Sequence, residues 1–359
     1  MDSLTHILLG AAIGEAVLGR YAGKKAMLWG AVAATAPDID VLAGAFMSDL
    51  DKLIFHRGIT HSLLFIIATS PLYGWLINRI HRNHKHTANW QQWTLLVFLA
   101  QLTHTLLDSF TSYGTQLFLP FIPDAIALST ISVIDPLFTL PLLIGVSWLL
   151  IARTDHRRRL YISTAAIFLA TAYLAFTVVN KTQVERAFHA AFKQQGYEAA
   201  KTDIKPTLFN NLLWRGIAQL RGEDRYVVGY FSVIDGQQVI ALEEVEGNHH
   251  LLAPYHGKSP VQRLRWVSEG FYKIEETETG FLFNDLRFGR VAEFSDEVSS
   301  PYAFSYTLSR SETDTDFVVE RIRLRVERGR ESESFRLLWQ RILNANAGKE
   351  KLHSAGEYP

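Results

Sequence analysis

The stretch Leu160–Val179 reads LYISTAAIFLATAYLAFTVV and carries no charged side chain. A helix of about 20 apolar residues crosses roughly 30 Å of hydrocarbon, so this stretch predicts a transmembrane helix. The density of charged residues rises directly after this stretch. Residues 1–180 hold 12 Lys or Arg and 10 Asp or Glu, whereas residues 181–359 hold the other 24 and 26. We therefore predict a boundary near residue 180, between a helical membrane domain and a soluble domain.

The overall composition excludes several classes of function. The 359 residues include 36 basic and 36 acidic side chains and no cysteine. Zero net charge argues against a dedicated nucleic-acid-binding protein, which needs a basic surplus to neutralise phosphates. The absence of cysteine excludes disulfides, thiolate zinc sites and cysteine nucleophiles. Any metal must therefore be held by nitrogen and oxygen atoms.

Apolar segments precede Leu160–Val179 and predict about six membrane helices in all. The first two are short and rich in Ala and Gly, so we expect them to pack tightly or to be partly re-entrant. No base precedes Arg20, and we expect the first segment to be retained rather than cleaved as a signal peptide. The five segments are Leu4–Leu18, Ala26–Ala36, Ser62–Ile80, Trp93–Leu107 and Leu137–Ile151.

The basic residues predict the topology, because cytoplasmic loops are enriched in Lys and Arg. They fall in three of the loops between the predicted helices. We expect both termini, and with them the C-terminal domain, on the periplasmic or extracellular side of a multi-pass inner-membrane protein. The basic residues of these three loops are Arg20, Lys24, Lys25, Arg79, Arg82, Lys85, Arg153, Arg157, Arg158 and Arg159.

The soluble half predicts a mainly β (α+β) domain over residues 181–347, followed by a flexible tail at 348–359. Alternating and β-branched runs bounded by turn residues predict the strands. We expect helices at Thr182–Gln195 and Ser334–Leu343, and we find no catalytic motif in this half. The predicted strands are Tyr226–Val233, Gln238–Val245, Arg263–Val267, Phe281–Phe288, Tyr302–Leu308 and Phe317–Val326.

Histidines and carboxylates occur in spaced groups in the membrane half. On the predicted topology every group lies at the same outer face of the membrane. Imidazole and carboxylate together suit Zn²⁺, and also Mn²⁺ or Fe²⁺. Eight candidates exceed the four ligands of one tetrahedral zinc, so we expect several metals or one metal with supporting residues. The candidate metal ligands are Asp2, His6, Asp38, Asp40, His56, His61, His104 and Asp108.

Each of these groups also has a structural interpretation. Asp2 fits a helix cap, and Asp38 with Asp40 fits an ordinary turn beside a proline. His104 and Asp108 have the i, i+4 spacing of a hydrogen-bonded pair on one helical face. Arg57 fits a contact to a lipid phosphate. Their joint occurrence favours a metal site, because ionisable residues beside membrane spans are costly and usually mark function or a partner.

Four motifs carry a resemblance to a known family. MDSLTHILLGAAIGE, APDID, FHRGITHS and LTHTLLD resemble those of the predicted inner-membrane metal-dependent hydrolases, also described as LexA-binding. The resemblance covers roughly residues 1–180 and implies a membrane-bound, metal-dependent hydrolase. The His-x-x-x-Asp motif is also distantly similar to the zinc phospholipase C and P1 nuclease group. This chain lacks a second such motif for a full three-zinc cluster.

We expect metal-assisted hydrolysis at the outer membrane–water boundary. A phosphoester such as a lipid head group is the expected substrate, and membrane lipid the expected partner. Asp38 or Asp40 would bridge two metals, and Asp108 would bind metal or orient His104. The forked guanidinium of Arg57 would hold a phosphate oxygen. The predicted catalytic residues are Asp38, Asp108 and Arg57.

Other readings stay open at this point. A metal-stabilised membrane anchor would use the same residue types in a closed site. A transporter needs ionisable groups at mid-membrane and on both faces. An intramembrane zinc protease is disfavoured because His-Glu-x-x-His is absent. A serine hydrolase would use Ser62, but the chain has no Gly-x-Ser-x-Gly elbow.

Overall fold

The computed structural model describes residues 1–44, 46–82, 88–235, 239–291, 294, 300–310, 317–323 and 330–343. Helices dominate the part before residue 195. Each of the six predicted apolar segments lies in or overlaps one of them, and the last helix also contains the predicted helix Thr182–Gln195 up to Gln194. The bounds are α1 (Ser3–Ala22), α2 (Lys24–Thr35), α3 (Asp40–Gly44), α4 (Asp49–Phe55), α5 (Leu63–His81), α6 (Trp90–Phe110), α7 (Pro136–Ile151) and α8 (His156–Gln194).

The described chain forms two compact units that interleave in sequence. The first unit contains residues 1–46, 55–181 and 206–211. The second contains residues 47–54, 182–205 and 212–359. The predicted tail at 348–359 lies outside the described residues.

The prediction of about six membrane spans is wrong in number. Among the described residues, α5 and α8 are long and apolar enough to cross a membrane. Taken together, α2 and the segment Pro37–Gly44 are also long and apolar enough to cross a membrane, although the chain bends by 50° between them. By this measure the spans number two or three. The helix α7 is apolar but has only 16 residues. In α6, the polar residues Gln101, His104 and Asp108 interrupt the buried apolar face.

Small residues bring α1 and α2 into backbone contact. A Cβ atom at Gly14 would overlap the carbonyl oxygen of Ala26, and one at Gly30 would overlap that of Gly10. Glycine-lined helices can approach this closely because no side chain separates the backbones. The expected tight packing of the first two segments is therefore confirmed.

A buried ion pair joins α1 to the start of α8. The Nε and Nη2 atoms of Arg159 donate to the two carboxylate oxygens of Glu15 at 2.8 and 2.6 Å. Arg159 Nη1 also donates to the carbonyl oxygen of Leu149 at 2.9 Å. The Glu15 side chain is fully buried. Such a pair is strongly destabilising to break, because the remaining charge stays buried without a partner.

The second unit contains two antiparallel four-stranded sheets, each with its strands in chain order. The first sheet is β1 (Ala199–Pro206), β2 (Leu213–Leu220), β3 (Arg225–Ser232) and β4 (Leu242–Glu246). The second sheet is β5 (Tyr272–Thr277), β6 (Gly280–Asp285), β7 (Ser305–Arg310) and β8 (Phe317–Arg321). The prediction of a β-rich domain is therefore confirmed for the described residues.

The predicted strand Arg263–Val267 is wrong. These residues belong to the helix α9 (Ser259–Val267), which has Pro260 in its first turn. Val261 and Leu264 are its buried residues, and their i, i+3 spacing faces one side of a helix. The predicted helix near the C-terminus is confirmed as α10 (Arg330–Leu343).

Each sheet has an apolar core of its own. The C-terminal part of α8 packs Phe188 and Phe192 against Trp214 of β2. A side chain at Gly216 would overlap the ring of Phe188, so glycine makes room for this packing. Leu50 of α4 is buried in the core of the second sheet, where its neighbours include Leu252, Val261, Leu264, Phe281 and Phe283.

His249 is a half-buried histidine in the second unit. Its Nδ1 lies 2.9 Å from Asp224 Oδ1, and its ring stacks on Tyr272 at 3.9 Å between centroids. Burial lowers the pKa of His249, against the opposing effects of the Tyr272 carbonyl and Asp224. In the unfolded chain His249 has an ordinary pKa of about 6.5. Just below that pH the unfolded chain therefore binds a proton at His249 more readily than the folded unit does.

We expect the second unit to lose stability as the pH falls below about 6.5, and His249→Gln to reduce this loss. The measurement is hydrogen exchange of peptides from β3 and β5 in the full chain at pH 7.5 and 5.5, corrected for intrinsic exchange rates. His189→Gln is the matched control, because His189 is exposed on α8. An equal pH response in wild type and both variants would contradict the assignment to His249.

Candidate metal centre

Four side chains of the first unit bring one ligand atom each to a common point. Asp38 lies in a 3₁₀ turn directly after α2, where Pro37 starts the turn. His61 ends a second 3₁₀ turn before α5. His104 and Asp108 lie one turn apart on the buried face of α6. All four ligand atoms lie within 4.8 Å of one another.

Five of the six distances between these atoms are close to those of a tetrahedral metal site. His61 Nε2 is 3.2 Å from His104 Nε2 and 3.4 Å from Asp38 Oδ1. Three further distances, from His61 to Asp108 Oδ2, His104 to Asp38 Oδ1 and His104 to Asp108 Oδ2, are 3.6, 3.6 and 3.5 Å. Ligands about 2.0–2.1 Å from a tetrahedral zinc are separated by about 3.3–3.4 Å.

The chemistry of the donor set also fits a cation. The Nε2 atoms of His61 and His104 lie 3.2 Å apart. With both nitrogens unprotonated their lone pairs would repel, and a metal between them would remove this repulsion. Burial lowers the pKa of His61, although its contact with Asp38 opposes the shift, which favours the neutral ligand form. The two carboxylates balance the charge of one divalent ion.

The centre is accessible from the side of Asp38. The side chains of His61 and His104 are fully buried and that of Asp108 is 1% exposed. The side chain of Asp38 is 24% exposed. A ligand or substrate from outside would therefore meet Asp38 first.

A second group adjoins the first and shares Asp38. Ligand atoms of Asp38, Asp40 and His56 lie within 4.8 Å of one another. Asp40 is fully buried, whereas His56 is 31% exposed. Asp40 Oδ1 lies 3.1 Å from His56 Nδ1. The structure thus brings six of the eight predicted ligands into two adjoining groups.

The other two predicted ligands lie beside these groups. Asp2 caps α1, where it accepts hydrogen bonds from the backbone N–H and the hydroxyl of Thr5 at 3.0 and 2.6 Å. His6 Nε2 contacts Asp108 Oδ1 at 3.1 Å, and its ring stacks on His104 at 3.6 Å between centroids. The α-amino group of Met1 also contacts Asp108. His6 therefore supports the centre through Asp108.

Arg57 reaches the centre from the loop before α5. Its Nη2 lies 3.2 Å from Asp108 Oδ1, and its Nη1 donates to Thr111 Oγ1 at 2.9 Å. The guanidinium carbon lies 5.1 Å from the centre of the Tyr113 ring. Arg57 Nε is buried and has no hydrogen-bond partner among the described residues. Thr111 and Tyr113 follow α6 in a loop without a recognisable motif, so sequence reasoning missed them.

Comparison with known proteins places the chain in a family. The family model described as YdjM inner membrane protein matches residues 1–184, which include every residue of the centre. The chain belongs to the YdjM inner membrane protein family. Membership supports inner-membrane localisation for a chain with apolar helices of spanning length.

Two relatives extend this YdjM-family match. The uncharacterized protein YfhP of Bacillus subtilis is 25% identical over 350 residues, covering 92% of this chain and 99% of YfhP. The inner membrane protein YbcI of Escherichia coli is 30% identical over 111 residues, which is 31% of this chain and 61% of YbcI. No solved structure matches. These matches give no support to the distant similarity with zinc phospholipase C and P1 nuclease.

Proposed function

We propose that this chain is a multi-pass inner-membrane hydrolase that uses a divalent metal to cleave a phosphoester at the outer membrane–water boundary. The observation that carries the proposal is the set of Asp38, His61, His104 and Asp108, in which Asp38 is partly exposed and the other three residues are buried. Nitrogen and oxygen donors of this kind favour zinc, with manganese or iron as alternatives.

A bound divalent metal would supply Lewis-acid polarisation of a substrate oxygen and would lower the pKa of a coordinated water to about 7. The chain's own residues prepare the place for it. His61 and His104 offer nitrogen lone pairs from rigid, fully buried positions. Asp38 offers an oxygen from the exposed side. Exclusion of bulk water around the three buried donors strengthens each electrostatic interaction in the centre.

Asp108 and Arg57 set the charge beside the centre. Asp108 Oδ2 faces the two histidines, while its Oδ1 contacts Arg57 Nη2 at 3.2 Å. Arg57 therefore holds Asp108 in place. The Nε–H of Arg57 has no partner among the described residues, so it remains able to donate to a substrate oxygen. A guanidinium is suited to phosphate because its donors form a planar fork.

The membrane setting favours a lipid head group as the substrate. The short segment that carries Asp38 and Asp40 also presents Ile39, Val41 and Leu42, each of which is more than half exposed. Apolar side chains beside a polar centre suit the boundary between head groups and acyl chains. We place this end of the helices, and the C-terminal domain, on the periplasmic or extracellular side, as the basic residues predict.

A structural metal site that stabilises a membrane anchor is the second candidate. One observation favours it: four protein side chains each offer a ligand atom, enough to fill a tetrahedral zinc, whereas catalytic zinc sites usually keep one position open for water. The exposed Asp38 decides between the two functions, since it must give up or share its corner in a hydrolase.

The test is hydrolysis by the purified, zinc-loaded chain in detergent. The substrates are bis(p-nitrophenyl) phosphate and phospholipids in mixed micelles. We expect activity that EDTA removes and zinc restores, and we expect Arg57→Gln to lower kcat by about 10²-fold or more while zinc stays bound. Arg79→Gln, at the other end of α5, is the control. Bound zinc that raises thermal stability without hydrolysis of any substrate would favour the anchor.

A further inference from the structure

A single buried carboxylate holds the loop between α4 and α5. Asp40 Oδ2 accepts the backbone N–H of Arg57 at 3.0 Å and the hydroxyl of Thr60 at 3.1 Å. Asp40 Oδ1 lies 3.1 Å from Nδ1 of His56. Both oxygens of Asp40 thus have protein partners in this loop, although the same carboxylate was a candidate metal ligand.

The first of these contacts supports a strained backbone. Arg57 has a φ of 61°, a left-handed conformation that is uncommon for residues other than glycine. Such strain persists only where the surroundings determine it on several sides. Here Asp40 accepts the N–H of Arg57, and the backbone N–H of Gln116 donates to the carbonyl oxygen of Arg57 at 3.1 Å. The strained turn directs the Arg57 side chain towards Asp108.

The second contact determines which nitrogen of His61 is free. A carboxylate only accepts hydrogen bonds, so the Thr60 hydroxyl must donate its proton to Asp40. The Thr60 oxygen lies 3.1 Å from His61 Nδ1 and is left as an acceptor. His61 therefore carries its hydrogen on Nδ1, and its bare Nε2 faces Asp38, His104 and Asp108. By contrast, Nδ1 of His104 has no partner among the described residues.

We propose that Asp40 is a positioning residue of the metal centre, which sets the tautomer of His61 through Thr60 and holds Arg57 in its strained conformation. This inference rests on the metal centre of the proposed function. Outer-shell partners of ligating histidines fix ring orientation, and their loss typically costs 10–100-fold in metal affinity. A direct role of Asp40 as a ligand would require it to give up its contacts with His56, Arg57 or Thr60.

The test uses Co²⁺ as the probe and the full chain in detergent. Its visible absorption reports the coordination geometry, and equilibrium titration gives stoichiometry and affinity. We expect one Co²⁺ per chain in wild type, Asp40→Asn and Thr60→Val, with affinity about 10–100-fold weaker and altered absorption bands in both variants. Thr60→Ser keeps the hydroxyl and should restore both readouts. Thr171→Val is the control, because Thr171 donates only within α8.

Two Co²⁺ ions in wild type and one in Asp40→Asn would overturn the proposal, since Asp40 would then be a ligand. Unchanged affinity and absorption in Thr60→Val would also overturn it. Absence of Co²⁺ binding in wild type would refute the positioning role together with the metal centre. Metal binding with the expected variant effects, but without hydrolysis, would support the positioning role and refute the proposed enzymatic function alone.

Discussion

His61→Ala and His104→Ala are each expected to weaken binding of divalent metal by more than about tenfold. Loss of a residue that only supports a ligand already costs about tenfold or more, and each of these substitutions removes a ligand itself. Each substitution removes one of the four donors of the centre and leaves three. It also leaves Asp38 and Asp108 without one of the imidazoles that lie between 3.4 and 3.6 Å from their oxygens. The chain purified from zinc-supplemented cells should therefore lose most of its metal.

Metal content is measured by mass spectrometry of the purified protein after extensive dialysis. His189→Ala provides the matched control, because this histidine is exposed on α8 and has no part in the centre. Wild-type metal content in both His61→Ala and His104→Ala would refute the centre. Loss in the two variants but not in the control assigns the metal to these residues.

Glu15→Ala is expected to lower the free energy of unfolding by about 3–5 kcal/mol, because it leaves Arg159 partly buried without a carboxylate. The pair is bidentate, with distances of 2.8 and 2.6 Å, and it connects the first helix to the longest one. The measurement is the urea dependence of unfolding in detergent, followed by the circular dichroism of the helices.

A double variant separates the pair from simple loss of packing. Glu15→Leu combined with Arg159→Met removes both charges and keeps most of the volume, so it should destabilise the chain less than Glu15→Ala alone. Arg158→Ala is the control for the adjacent position, since the Arg158 side chain is 79% exposed. Equal stability losses in Glu15→Ala and Arg158→Ala would contradict the assigned role.

The metal centre was largely predictable from spacing. The i, i+4 positions of His104 and Asp108 place both side chains on one helical face, and the turn around Asp38 and the loop with His61 each supply one further ligand. Spacing alone could not distinguish Asp38 from Asp40, because the two carboxylates differ only in which partners the folded loop brings to them. Spacing also could not decide whether Asp2 is a metal ligand or a helix cap, and the structure places Asp2 at the N-terminal cap of α1.

The fold was predictable in its elements and less so in its details. The apolar segments predicted the positions of the helices. Apolar composition alone overestimated the number of membrane spans, because some apolar helices are too short to cross, as α7 with its 16 residues illustrates. The segment Arg263–Val267 alternates like a strand over five residues, and only the neighbouring Pro260 and Val261 identify it as part of a helix. The pair of Glu15 and Arg159 is 144 residues apart in sequence, beyond the reach of any local pattern.

The interleaving of the two units means that no single cut yields two complete halves. A fragment starting at residue 182 would lack Leu50, which is buried with Leu252 and Val261 in the core of the second sheet. It would also lack Asp51, whose carboxylate pairs with Arg263 at 2.7 Å. A fragment ending at residue 181 would lack Asn211, which donates to the Thr130 carbonyl oxygen at 2.7 Å. In this chain, each unit is therefore built from residues on both sides of residue 181.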